Sequence, residues 1–72
     1  MTNPIPDVDL KALRKKLGLN QTQFAHRYSI NLATLRNWEC GKSSPMSTVK
    51  LFLFLLAKMP EEINRTIEKY DI

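Results

Sequence analysis

One cysteine and one histidine leave this chain little to be stapled with. Cys40 has no second thiol to pair with, and no Cys/His spacing around His26 resembles a zinc site. Apolar runs are short: the longest uninterrupted one, residues 51–57, falls far below the roughly 20 residues that a spanning helix needs. No basic n-region leads into an apolar h-region near the start, so a cytoplasmic protein is expected. The sequence offers no nucleophile–base pair, no carboxylate pair, no metal-ligand cluster and no phosphate-cradling glycine loop. No catalytic residue, no metal and no cofactor are therefore expected. Strand signal is nearly absent too, and what remains is helical periodicity.

A chain of 72 residues makes one domain, residues 1–72, around one small core. Such a core is marginal without a disulfide, a metal or a partner chain, and with the first two missing a second subunit is the expected stabiliser. Acid is scarce where it would neutralise most. Across residues 10–58 nine basic side chains (Lys11, Arg14, Lys15, Lys16, Arg27, Arg36, Lys42, Lys50 and Lys58) face one acid, Glu39, a net charge of +8. Asp7 and Asp9 before it, and the segment from Met59 onward, are acidic. A basic middle of this kind suits a polyanion such as nucleic acid, although a solvated lysine-rich surface gives the same arithmetic.

Caps and breakers divide the chain into five helices. Residues 1–6 form an extended lead-in with two prolines. Asp7 or Asp9 can cap a first helix whose Leu10, Leu13 and Leu17 share one stripe, while Lys11, Arg14 and Lys15 face away from it, and Gly18 stops it. Asn20 with Gln23 three residues on makes a capping-box start, with Leu19 placed to staple onto Phe24. Asn31 repeats the signal for a helix from Leu32, with Ile30 stapling to Leu35, and Gly41 ends it. Two helices of about eight residues joined by a short turn form a helix-turn-helix over residues 21–40. Ser44 can cap a fourth helix with Pro45 as its first residue, running to Lys58. Pro60, followed by Glu61 and Glu62 at the positive end of the dipole, opens a fifth, with Ile63, Ile67 and Tyr70 as its stripe.

These residues carry a resemblance. Leu-Asn-Gln-Thr-Gln-Phe-Ala at 19–25, Thr-Leu-Arg-Asn-Trp-Glu-Cys-Gly-Lys at 34–42, and Pro45 resemble the phage-repressor-type helix-turn-helix of the XRE, or Cro/C1, family. The pattern Thr-Leu-x-x-Trp-Glu-x-Gly, then Pro and an apolar helix ending in Met59, Pro60 and Glu61, is closer still to the HigA-like and MqsA C-terminal antitoxin domains. The likeness covers residues 10 to about 64. It implies an all-α, compact five-helix phage-repressor-like domain in a bacterial or phage cytoplasm, on the nucleoid when bound, with double-stranded DNA as partner.

In such a motif the second helix enters the major groove and the first crosses the backbone. Leu35 and Trp38, three apart, then point to the core. The opposite face offers Asn31, Leu32, Ala33, Arg36 and Asn37 as base-contacting candidates. Asn37 can bond adenine in two places, Arg36 can reach guanine or a flanking phosphate, and Leu32 or Ala33 can touch a thymine methyl. In the family the positions matching Ala33 and Asn37 commonly hold the base-reading pair, of which this sequence keeps a polar group at Asn37. Gln21 matches the family's phosphate-binding glutamine, and the N–H groups of its turn also point at an anion. Thr34, Lys42 and Ser43 are placed to grip phosphate across the groove, with Lys15, Lys16 and Arg27 as weaker candidates.

Other residues have plainer expectations. His26 is a surface residue of the second helix and Cys40 a small filler at a helix end. Glu39 ties the helix end to a backbone N–H or to a nearby base such as Arg14. Ser29 stands where the family often has glycine, and a positive φ there would cost about 1 kcal/mol. The fourth helix is apolar on more than one side. Val49, Phe52, Leu53 and Leu56 make a core stripe, yet Leu51, Phe54 and Leu55 add apolar surface beside and opposite it. Either the fifth helix folds back over that surface, or it meets a second copy of the chain together with Ile63, Ile67 and Tyr70, so the helices over residues 45–71 are the expected dimerisation segment.

Two functions fit. One is a dimeric, sequence-specific DNA-binding regulator, in its simplest form a repressor of its own gene reading a palindromic operator. The other is an antitoxin that binds a toxin protein and autoregulates its operon. No long disordered or zinc-bearing appendage is present to do the neutralising, so a toxin would dock on the helical domain itself.

Overall fold

The computed structural model describes residues 4–70 and contains five α-helices: α1 Leu10–Lys16, α2 Gln21–Arg27, α3 Leu32–Glu39, α4 Ser47–Lys58 and α5 Pro60–Lys69. No strand occurs among the described residues, as the all-α expectation requires. The lead-in expected over residues 1–6 is irregular from Pro4 on; residues 1–3 and 71–72 of the expected segments lie outside the described residues. Backbone contacts divide the chain into two units, Asp9–Met46 with α1 to α3, and Ser47–Ile72 with Met1–Val8, which holds α4 and α5.

In the first unit α3 packs on both α1 and α2. Leu10, Leu13, Phe24, Ala25, Tyr28 and Leu35 are buried there, Phe24 and Leu35 completely. The Phe24 and Tyr28 rings lie 4.8 Å apart between centroids at 58°, a tilted aromatic pair one helical turn apart. Trp38, expected in the core beside Leu35, is only half-buried. Trp38 sits in the last turn of α3, and an indole is seldom fully covered.

All three helices of this unit start and stop by the same chemistry. Side-chain oxygens of Asp9, Asn20 and Asn31 accept from the backbone N–H three residues on, at 3.1, 2.8 and 3.1 Å. At α2 the box is reciprocal, since Gln23 Oε1 also accepts from the Asn20 N–H at 2.9 Å. Each helix then ends in a paired closure, the sixth N–H returning to the first carbonyl and the fifth to the second. Leu19 donates to Arg14 and Gly18 to Lys15; Ile30 to Ala25 and Ser29 to His26; Lys42 to Asn37 and Gly41 to Trp38. The closure needs a left-handed residue, and the three are Gly18 (φ +74°), Ser29 (φ +58°) and Gly41 (φ +80°). Two are glycine, which adopts that backbone freely, whereas Ser29 adopts it against its Cβ.

In the second unit α4 packs against α5, and Leu53 and Leu56 are buried. Asp7 of the lead-in reaches Lys50 at 3.6 Å, an exposed pair of small energetic weight. Two expectations need correction. The helix begins at Ser47, two residues after Pro45. Proline's fixed φ serves extended chain as well as a helical first turn, so proline alone does not place a start, and Met46, 70 % exposed, has no packing to gain from being wound in. Val49 and Phe52, expected in the core stripe, are half-buried. Phe52 instead lines a groove with Met59, Glu62, Ile63, Thr66 and Ile67.

Met59 alone separates α4 from α5 (φ −140°, ψ 59°). Pro60 brings no N–H to the ladder, and its ring disfavours helical geometry at the residue before it. Met59 nonetheless keeps both neighbours: its N–H donates to Leu55 at 2.8 Å and its carbonyl accepts from Ile63 at 3.2 Å. Glu61 and Glu62 fall in the first turn of α5 as the dipole argument expects.

Candidate nucleic-acid interface

The turn over residues 28–31 delivers α3 with one side sealed and one side open. Leu35 is fully enclosed, while Ala33, Arg36 and Asn37 are exposed, as their helical spacing predicts. Leu32 is half-buried, leaving part of its side chain for an apolar contact. Asn31 is exposed, but its Oδ1 already accepts from the Thr34 N–H at 3.1 Å and lies 3.5 Å from the Thr34 hydroxyl. The carboxamide oxygen that would accept from adenine is thus engaged in capping, and Thr34, half-buried, faces the same cap.

Beneath the open face runs a chain of polar side chains. Arg14 of α1 grips Glu39 of α3 in two places, Nε to Oε2 at 2.9 Å and Nη2 to Oε1 at 3.0 Å. Their side chains are 12 % and 3 % exposed, so the pair is largely removed from water. The third Arg14 nitrogen, Nη1, donates to the Leu19 carbonyl at 3.2 Å. Gln21, at the start of α2, donates from Nε2 to Glu39 Oε1 at 3.2 Å and accepts on Oε1 from Arg36 Nε at 3.4 Å. The Arg14 hydrogen bonds, helped by Gln21 and by the charges of Arg14 and Lys11, hold the Glu39 carboxyl below the usual glutamate range against the opposing effect of burial. The Arg14 guanidinium is held more firmly protonated, chiefly by its hydrogen bonds to Glu39.

Lys42 and Ser43 are exposed just past α3. Their backbone N–H groups both donate to the Asn37 carbonyl, at 2.9 and 3.4 Å, which fixes this short loop to the end of the exposed helix face. Lys15, Lys16 and His26 are exposed and Arg27 is half-buried. Cys40, expected as a filler, is exposed, with its Sγ 3.6 Å from the Asn37 carbonyl; the closure around Gly41 leaves it outside the packed side.

The residues expected at a subunit contact belong to the second unit. Leu51 and Leu55 are 46 % and 40 % exposed and Tyr70 is 65 % exposed, while Phe54, Ile63 and Ile67 are half-buried. Lys58 Nζ stands over the Phe54 ring, 5.7 Å from its centre, and Lys69 Nζ over that of Tyr70 at 5.5 Å, so a cation lies on a face of each ring. Met59, which sequence reasoning left out of this set, is 40 % exposed and lines the same groove as Ile63 and Ile67. Its spacing of four from both Leu55 and Ile63 was the available signal, obscured by the neighbouring proline. Also unanticipated was that Gln21 would bridge Glu39 and Arg36, a contact eighteen residues apart on one side and fifteen on the other.

Among the described residues no helix is long and apolar enough to cross a membrane. A family model described as helix-turn-helix, HTH_3, matches residues 10–49. Neither a curated protein nor a solved structure matches the chain.

Proposed function

The chain belongs to the HTH_3, or Cro/C1-type, helix-turn-helix family, a DNA-binding family, and from that premise we propose that it is a dimeric, sequence-specific transcriptional repressor. The observation that carries this reading is the division of α3: Leu35 is enclosed while Ala33, Arg36 and Asn37 stand open together. Asn37 then reads a base edge, with Ala33 and Leu32 beside it for a thymine methyl. Gln21, Lys42 and Ser43 hold the phosphates on either side, which fixes register without adding sequence information, while Thr34 stays with the α3 cap.

The exposed Leu51 and Leu55, with Phe54, Ile63, Ile67 and Tyr70, give a second copy an apolar surface to cover. A two-fold pair sets two recognition helices about 34 Å apart, one helical turn of DNA, and reads a palindrome. Autorepression is tested by a salt-titrated binding assay on the DNA immediately upstream of the protein's own gene. Binding no tighter than to random DNA at moderate salt overturns it.

A second reading keeps the DNA interface and gives the apolar groove of Phe52, Met59, Ile63 and Ile67 to a toxin protein, in line with the narrower resemblance to HigA-like and MqsA antitoxin domains. Expression from the native operon separates the two: a stable small protein co-purifying with this chain favours the antitoxin, and a homodimer alone favours the repressor.

A further inference from the structure

We infer that Gln21 is a positioning residue which, anchored on the half-buried Glu39, turns Arg36 so that the end-on edge of its guanidinium reads a guanine. This deepens the DNA-reading function proposed above and rests on it. Glu39 is ionised and so can only accept hydrogen bonds. Its Oε2 takes Arg14 Nε at 2.9 Å and its Oε1 takes both Arg14 Nη2 at 3.0 Å and Gln21 Nε2 at 3.2 Å. The Gln21 amide is therefore fixed in one sense. Turning it over would set its oxygen against a carboxylate oxygen whose side chain is 3 % exposed, acceptor against acceptor.

With the nitrogen held inward, Gln21 Oε1 is left as an acceptor at the surface, 3.4 Å from Arg36 Nε. Arg36 is exposed, and with Nε engaged its remaining side-chain donors are the two Nη groups. A guanidinium has two useful forks, Nε with one Nη, or Nη1 with Nη2. Engagement of Nε leaves the second. That fork presents two parallel donors, which match the two adjacent acceptors of guanine, O6 and N7; adenine offers one acceptor and one donor at the same place. The sequence from Arg14 through Glu39 and Gln21 to Arg36 thus transmits the rigidity of a part-buried, doubly bonded ion pair to a side chain that would otherwise be free to swing. The second hydrogen on Gln21 Nε2 remains available to a phosphate, so loss of Gln21 also weakens binding to every sequence by a common factor.

The test selects binders from a pool of randomised DNA duplexes with the full chain and its variants, and compares base preference position by position. Wild type enriches a guanine that Arg36→Ala no longer prefers. Gln21→Met, close in shape but without the amide, loses preference for guanine at that same position by about ten-fold, keeps the preferences at other positions, and adds nothing when combined with Arg36→Ala. Gln21→Leu, a second substitution without the amide, loses the same preference. A phosphate role for Arg36 would lower binding to all sequences equally and overturn the inference. So would an undiminished guanine preference in Gln21→Met, or in Gln21→Leu should Gln21→Met fail to fold. A wild-type chain that enriches no sequence removes the DNA-reading function itself, and the inference with it.

Discussion

Arg14 and Glu39, 25 positions apart in sequence, meet through two parallel hydrogen bonds of 2.9 and 3.0 Å and join the first helix of the unit to the last turn of the exposed one. A fork of this kind fixes angle as well as distance. Removing one partner strands the other in a poorly hydrated place, so Glu39→Ala is expected to cost about 2–3 kcal/mol in urea unfolding, reduced from the fully buried case because Arg14 retains the Leu19 carbonyl and some exposure. An unchanged urea midpoint would show the pair to be energetically idle.

The same pair sets an acid limit on stability. The folded-state pKa of Glu39 is lowered, chiefly by Arg14, so its contribution is fully present above the ordinary glutamate value, about 4.3, and is lost as pH falls through the lowered one. Melting temperatures of wild type and Glu39→Gln are expected to differ by a constant amount between neutral pH and about pH 5, and to converge in stronger acid. A gap that widened on acidification would reverse the sign of this argument.

Ser29 stands at φ +58° where the matching closures at α1 and α3 use glycine. Ser29→Gly should release the left-handed strain and stabilise by about 0.5–1 kcal/mol, the larger backbone entropy of unfolded glycine offsetting part of the gain. The reverse exchange is expected at Gly18, where a Cβ would meet nothing within 4 Å, so that any loss in Gly18→Ser is conformational and not steric. Thermal scans decide both, roughly 4–8 °C being expected per kcal/mol in a domain of this size.

Base reading and phosphate gripping separate by specificity. Asn37→Ala should lose about 1–3 kcal/mol on the preferred site and little on random DNA, whereas Lys42→Ala should weaken both and reduce the salt slope by about one. Equal losses on both DNAs for Asn37→Ala would remove it from the base-reading set.

Charge placed on the exposed apolar face tests the subunit contact. Leu55→Glu, at a position 40 % exposed, should leave the fold intact and convert a dimer to monomers in sedimentation equilibrium, with loss of cooperative operator binding. An unaltered assembly state would move the contact elsewhere.

The sequence by itself determined the helices of the Asp9–Met46 unit almost to the residue, because each boundary is written in local chemistry. Asp9, Asn20 and Asn31 cap through oxygens reaching three residues, and Gly18 and Gly41 close through one residue at positive φ. It was less informative at Pro45, since a fixed φ is shared by helix and extended chain, and at Trp38, Val49 and Phe52, since apolar character and period do not say how much cover a small fold provides. Of the candidate interface, the open face with Ala33, Arg36 and Asn37 followed from helical spacing alone. That Asn31 and Thr34 are turned to the cap, and that Gln21 joins Glu39 to Arg36, did not: these contacts depend on where three helices come together, and long-range geometry of that kind is set by the packing of Phe24 and Leu35, not by any neighbour in the chain.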